Sequence, residues 1–181
     1  MRIYLDPGHG GEDSGAVGPS GLKESNAALQ ITKYVRRGLI DQGETIYTTR
    51  DGDNFVSLEK RCEMANNEGA DLFISIHCNA FSDPAAHGVE FWTSRGTTDA
   101  DAVAERLYET VTAAFPKLTP RVDMSDGDHD KESGFAVLVG TIMPAVLIET
   151  AFISNVIEER WLNDVGWKMR MAGAIVSGLR R

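Results

Sequence analysis

The stretch Asp71-Leu72-Phe73-Ile74-Ser75-Ile76-His77 narrows the possible folds more than any other part of the chain. A strand with one wet face alternates apolar and polar residues, whereas a nearly continuous apolar run fits a strand covered on both faces. Such a strand requires helices on either side of its sheet, and the rest of the chain supplies them in alternation with further strands. Residues 2–5 and 45–49 read as strands. Between them, residues 22–40 carry Ala28, Ile31, Val35 and Leu39 at helical spacing, with Gly43 just past the end as a C-cap. Ser57 is a good N-cap for a helix with Leu58, Cys62 and Ala65 on its inner face.

The second half continues the pattern. Residues 89–93 read as a strand, and Asp99 opens a helix with Val103, Leu107 and Val111 on one side. Residues 117–134 are polar without a period and read as a long surface loop. Residues 135–139 and 145–149 read as strands. Asn155 with Glu158 resembles a capping box, and Asp164 starts a final helix with Val165, Met169, Ala172, Val176 and Leu179 in phase. This alternation predicts a single α/β domain over residues 1–181, one sheet with helices on both faces. In such sheets ligands bind beyond the carboxyl ends of the strands.

Several function classes are excluded by composition. The 181 residues hold 18 basic and 27 acidic side chains, a net charge of −9, which disfavours a nucleic-acid partner. No apolar run approaches the roughly 20 residues that span a bilayer, so no membrane insertion is expected. The first seven residues lack a signal-peptide layout because Asp6 and Pro7 interrupt the apolar stretch. Synthesis in the cytoplasm is the expectation. Cys62 and Cys78 have no framework spacing and are expected as reduced thiols.

Four side chains fall at the predicted carboxyl edge. His9 follows the first strand, His77 ends the central apolar strand, and Glu149 ends the run Ala145-Val146-Leu147-Ile148. Glu24 shares a helical face with residues 28, 31 and 35, so its carboxylate points inward, where a charge needs a partner or a metal. Each has a plainer reading alone: a structural histidine, a carboxylate at a helix N-terminus, a salt-bridged glutamate. Together they point to a cation. Two histidines and a carboxylate are a usual protein set for catalytic zinc, and a non-ligating glutamate can act as base for its water. There is no H-E-x-x-H, so such a site draws on distant segments. His87 and His129 sit in polar, turn-like contexts and read as surface residues.

Residues 5–18, LDPGHGGEDSGAVG, hold five glycines around His9. A phosphate cradle would explain them, but Asp13 stands where a dinucleotide fingerprint needs its third glycine, and no Gly-Lys-Ser/Thr follows. Presentation of His9 to a composite site is the better reading.

Six blocks in order, LDPGHGGEDSGA, GLKESNAALQI, TTRDGD, VSLEKRCEMAN, ADLFISIHCNA and PAVLIETAFISN, resemble the zinc-dependent N-acetylmuramoyl-L-alanine amidases, the type-3 amidases. The resemblance runs from Ile3 to the last helix and is weakest over residues 95–134. It implies a mixed six-stranded sheet like that of zinc exopeptidases, with one Zn²⁺ per chain on His9, Glu24 and His77. It further implies Glu149 as catalytic residue, Asn79 as substrate contact, and peptidoglycan as substrate, cleaved between muramic acid and L-alanine. A zinc peptidase or deacetylase on the same fold and a non-catalytic wall-binding module are the rival readings. A monomer acting on the cell wall is expected, reached by phage-type release or as a domain of an exported enzyme. Some relatives carry a helix that plugs the site; the polar loop 117–134 offers little to dock one, so no self-inhibition is expected.

Overall fold

The computed structural model describes residues 1–180, which form one six-stranded mixed sheet and six helices. In chain order the elements are β1 (Arg2–Pro7), α1 (Glu24–Ile40), β2 (Thr45–Thr48), α2 (Leu58–Glu68), β3 (Leu72–Asn79), β4 (Glu90–Thr93), α3 (Asp101–Ala114), β5 (Lys131–Glu132), α4 (Ala136–Val139), β6 (Ala145–Phe152), α5 (Val156–Asn163) and α6 (Val165–Gly178). The strand order is β2-β1-β3-β6-β4-β5. β1 pairs parallel with β2 and β3, and β3 with β6, whereas β4 runs antiparallel to β6. The apolar run at residues 71–77 is therefore an inner strand, as its composition requires. Among the described residues no helix is long and apolar enough to cross a membrane.

Strand alternation divides the core in two. Ile3, Leu5, Ile74, Ile76, Val146 and Ile148 point to the face covered by α1, α3 and α6 and join the larger cluster. Tyr4, Phe73 and Leu147 point the other way, toward Cys62 and Ala65 of α2 and Val137 and Leu138 of α4. Continuing the same alternation, Asp6, Ser75, His77 and Glu149 fall on the second face. Among the described residues, α2 and the four residues of α4 pack on it, and a cleft lined by His77 and Glu149 opens beside them.

The structure corrects four local expectations. Residues 136–139 form a helix rather than a strand, burying Val137 and Leu138 beside α2; short apolar runs do not separate the two states by period. Within the expected loop, Lys131–Glu132 adds an edge strand beside β4. In α6, Val165 and Met169 are exposed while Lys168, Met171, Ala172 and Ile175 turn inward, so the inner stripe is rotated from the expected one. Asn155 does cap α5, accepting from Ile157 N and Glu158 N. Glu158, however, does not reach back as a capping box; it accepts from the backbone of Gly88 and Phe152 instead. The caps Ser57 and Asp164 form as expected, and both cysteines are free and buried.

Buried charge anchors β1 to α2. Arg61, 2% exposed, pairs with Asp6, 1% exposed, and also donates to the carbonyls of Pro7 and His9. Thr49 and Ser75 hydroxyls complete the Asp6 carboxylate. Breaking a buried pair from one side leaves an uncompensated charge, so Arg61→Met should lower unfolding free energy by about 3–5 kcal/mol in urea titration. A loss below about 1 kcal/mol would show that the pair does not hold this corner.

Candidate metal centre

Glu24 stands at the first position of α1 and reaches round the end of the sheet to both histidines. Its Oε1 lies 2.9 Å from His77 Nδ1 and 3.2 Å from His9 Nε2. The same oxygen accepts from Cys78 N at 3.1 Å, and Oε2 accepts from Ala16 N at 3.0 Å. The carboxylate, only 5% exposed, is thus fixed from both sides. His9 reaches the cluster from a left-handed backbone position, φ 57°, and Asp13 holds its Nδ1 at 2.8 Å, which turns Nε2 toward Glu24. One ligand atom each from His9, Glu24 and His77 lie within 4.8 Å of one another. Two imidazole nitrogens and a carboxylate oxygen are a donor set that zinc accepts.

The loop glycines are explained by this crowding. A Cβ on Gly8 would sit 2.3 Å from the His77 ring, and one on Gly15, at φ +62°, would sit 2.6 Å from both Glu24 Oε2 and the His9 ring. The carbonyls that result from so tight a loop need donors. Arg50 supplies them to Pro7, Gly8, Ser25 and Gly52, and Arg61 to Pro7 and His9. The sequence analysis singled out neither arginine, and it did not assign Asp13 to the site. An acidic residue four positions after a glycine-flanked histidine is the signal that could have found Asp13.

Without a cation, protons balance this cluster. Burial pulls His9 down, but hydrogen bonds and charge from Glu24 and Asp13 outweigh it and raise the group to about 9. Burial likewise opposes a proton on His77, and Glu24 with the nearby Glu149 overrides it, so His77 is also raised. Burial would raise Glu24, yet the two imidazoles hold it far below the carboxylate range.

Glu149 lies opposite His77 in the β3–β6 register and opposite Glu90 in the β4–β6 register. Burial, offset in part by His77, pushes its carboxyl up to about 7, and Oε2 is buried with no partner among the described residues. It faces a cleft of about 570 Å³ that also exposes His9, His77 and Asp13. Phe55, Val56, Leu58, Phe135, Ala136 and Val137 make much of the cleft lining apolar. Asn79 is placed differently. A bulge between His77 and Asn79 breaks the alternation; Nδ2 donates to Glu90 Oε2 at 2.8 Å, Oδ1 accepts from Ala80 N, and the residue does not line the cleft. His87 is exposed as expected, while His129 is half-buried, bonded to Glu105 and stacked on Tyr108.

Three side chains able to hold a metal with a free carboxylate beside them, set at the carboxyl ends of parallel strands, form an arrangement suited to metal-assisted hydrolysis. Sequence comparison makes the class specific: the N-acetylmuramoyl-L-alanine amidase family matches residues 3–181, and the chain belongs to it. It is 35% identical to the N-acetylmuramoyl-L-alanine amidase AmiA of Salmonella typhimurium, over 98% of this chain and 74% of that protein. It is 39% identical to LytC of Bacillus subtilis, covering 97% of this chain and 34% of that protein. Among solved structures, the amidase AmiC2 of Nostoc punctiforme superposes with a TM-score of 0.88 at 32% identity, over 99% of this chain and 94% of that one.

Two measurements follow from the protonated cluster. Cation binding must expel protons from His9 and His77, so calorimetric titration of zinc near neutral pH should show proton release. Affinity should rise by up to about tenfold per pH unit between 6.5 and 9 from the His9 proton alone. In metal-free protein the raised His9 contributes stability that is complete below its unfolded value of 6.5 and fades as pH rises through about 9. A pH-independent zinc affinity over that range would contradict the ligand assignment.

Proposed function

We propose that the chain hydrolyses the amide bond between N-acetylmuramic acid and L-alanine in peptidoglycan, with one zinc ion held by His9, Glu24 and His77. The observation that carries this reading is the unpartnered carboxylate of Glu149 beside the triad, in a cleft of about 570 Å³. When bound, zinc supplies Lewis acidity, polarising the scissile carbonyl and acidifying water. Glu149 takes the proton of the attacking water and returns it to the departing amine of L-alanine, acting first as base and then as acid. Its raised pKa of about 7 suits both duties. Asp13 keeps His9 Nδ1 occupied, so that Nε2 faces the cation. The apolar walls exclude water around the bond and accept the methyl-bearing lactyl and alanyl groups. Asn79, held on Glu90 at the end of β3, contacts the part of the substrate that extends beyond the cleft. We place the site of action at the cell wall, where this bond occurs.

No residue of 117–134 lines the cleft, and Pro120 and Arg121 tie that segment to Val89 and Glu90 instead. The proposal therefore includes an enzyme that is not self-inhibited. Shortening the exposed part of the segment should leave turnover within a few-fold of the parent; an increase of tens of fold would overturn this part.

Glu149→Gln should retain zinc by elemental analysis yet lose turnover by about 10²–10⁴-fold or more. His77→Ala should lose zinc as well. Mass spectrometry of digested sacculi should find new L-alanine amino termini without new reducing sugars or acetate. Reducing ends or released acetate would favour a glycosidase or a deacetylase, and near-parental activity of Glu149→Gln would remove the role assigned to it.

A further inference from the structure

A second concavity lies on the side of the sheet covered by α1, α3 and α6, away from the metal cleft, where the end of α3 meets α5 and α6. Two of the chain's three tryptophans form it. Trp161 of α5 and Trp167 of α6 run nearly parallel, 18° apart, with ring centroids separated by 6.4 Å. Phe115, at the end of α3, is tilted against Trp167 at 5.3 Å. Both indoles are half-buried and line a groove of about 320 Å³, which lies at the lower end of the range for ligand sites. No residue is shared between this groove and the cleft.

The charges along the groove have one sign. Leu118 N donates to the Phe115 carbonyl at 2.9 Å and closes a turn with Pro116 at its second position. That turn presents Lys117, which is exposed and has no partner among the described residues. Arg170 lies over the Phe115 ring, 4.8 Å from its centroid, and donates to the Ala114 carbonyl through one terminal nitrogen. A guanidinium has five N–H donors, so Arg170 keeps others for a ligand. Among the described residues no acidic side chain lines the groove, although acids outnumber bases 27 to 18 in the chain.

An aromatic surface with two cations and no anion fits a ligand that has an apolar face and a negative group. A pyranose ring supplies the face, because its axial C–H groups are slightly positive and seat on the negative face of an indole. The amide hydrolysis proposed above supplies the charge. Water gives its hydroxyl to the lactyl carbonyl and a proton to the alanine nitrogen, so each cut leaves a free carboxylate on muramic acid. We propose that the groove binds a peptide-stripped glycan strand, the polysaccharide product of that reaction. Its sugar rings lie on Trp161 and Trp167, and its lactyl carboxylates meet Lys117 and Arg170. This inference rests on the amidase reading. The strand held here is not the one being cut, since groove and cleft lie on different faces of the sheet, and binding it retains the enzyme where cutting has begun.

The test is calorimetric titration of the zinc-loaded protein with a soluble, peptide-free oligosaccharide of alternating N-acetylglucosamine and N-acetylmuramic acid. Trp161→Ala and Lys117→Glu should each weaken binding by about tenfold. A chitin oligosaccharide of equal length lacks the carboxylates. It should bind the parent about tenfold more weakly and be indifferent to Lys117→Glu. Lys117 is an exposed turn position, so its variant carries the test if Trp161→Ala folds poorly. No binding by the parent, or unchanged affinity in Lys117→Glu, would overturn the proposal. So would chitin binding as tightly as the product glycan, or inorganic polyphosphate doing so, which would make this a plain anion site. The amidase reading is judged separately, by whether the parent frees L-alanine amino termini from a soluble muramyl-L-alanyl peptide. Failure there leaves the binding result to stand or fall on its own.

Discussion

Everything at the centre of this molecule turns on one buried carboxylate. Glu24 begins a helix on one side of the sheet, yet its oxygens bond a histidine from β3, a histidine from the loop after β1, and two backbone amides. The charge is tolerable there only because two imidazoles and the start of α1 surround it. Removing it would take away the main partner that raises His9 and His77, leaving Asp13 for the one and Glu149 for the other, and would leave the loop 8–18 without its inner anchor. The position is therefore the fold's local tie and, in the proposed function, a ligand of the cation, and the two roles cannot be separated by substitution alone.

Around that carboxylate the protein solves a backbone problem. Bringing His9 against His77 requires a loop too tight for side chains at Gly8 and Gly15, and a tight loop exposes carbonyls that no ladder satisfies. Two buried guanidiniums take them. Arg50 and Arg61 are suited to this because a planar fork of donors can serve several acceptors at once. Asp6 offsets the charge of Arg61 and is itself locked by Thr49 and Ser75. The cost of presenting one histidine is thus distributed over β1, β2, α2 and β3, which is why the loop sequence alone looked so extravagant in glycine.

Much of this was legible in the sequence, for specific reasons. An inner strand such as β3 has no wet face, so its apolar run declares itself. His77 and Glu149 were visible as the polar residues that end such runs, and Glu24 as an acid in phase with Ala28, Ile31 and Val35. What escaped was set by tertiary context. Arg50 and Arg61 have nothing in their surroundings in sequence to distinguish them from solvated charges. The bulge that turns Asn79 to Glu90 is a register event between strands, invisible in either strand alone. Residues 136–139 were too short to declare a period, and β5 exists only because β4 offers it an edge. The inner stripe of α6 is set by which residues meet α1 and α3, and Lys168 bonds Gln30 there despite its charge.

The two halves of the sheet carry different burdens. In the parallel half, β1, β3 and β6 end together, so His9, Glu24 and His77, from segments far apart in sequence, converge beside Glu149. In the other half, antiparallel β4 places Glu90 directly across from Glu149. Two buried acids side by side would raise each other, but Glu90 is met by Lys131, Arg121, Trp92 and Asn79, whereas Glu149 is met by no donor at its buried oxygen. The contrast assigns their duties. A carboxylate saturated with donors serves as a fixed strut; one left without a donor and buried holds its proton near neutrality. By absorbing the available cations, Glu90 keeps them away from its neighbour, and the reactivity of Glu149 is in that sense a property of the strand beside it.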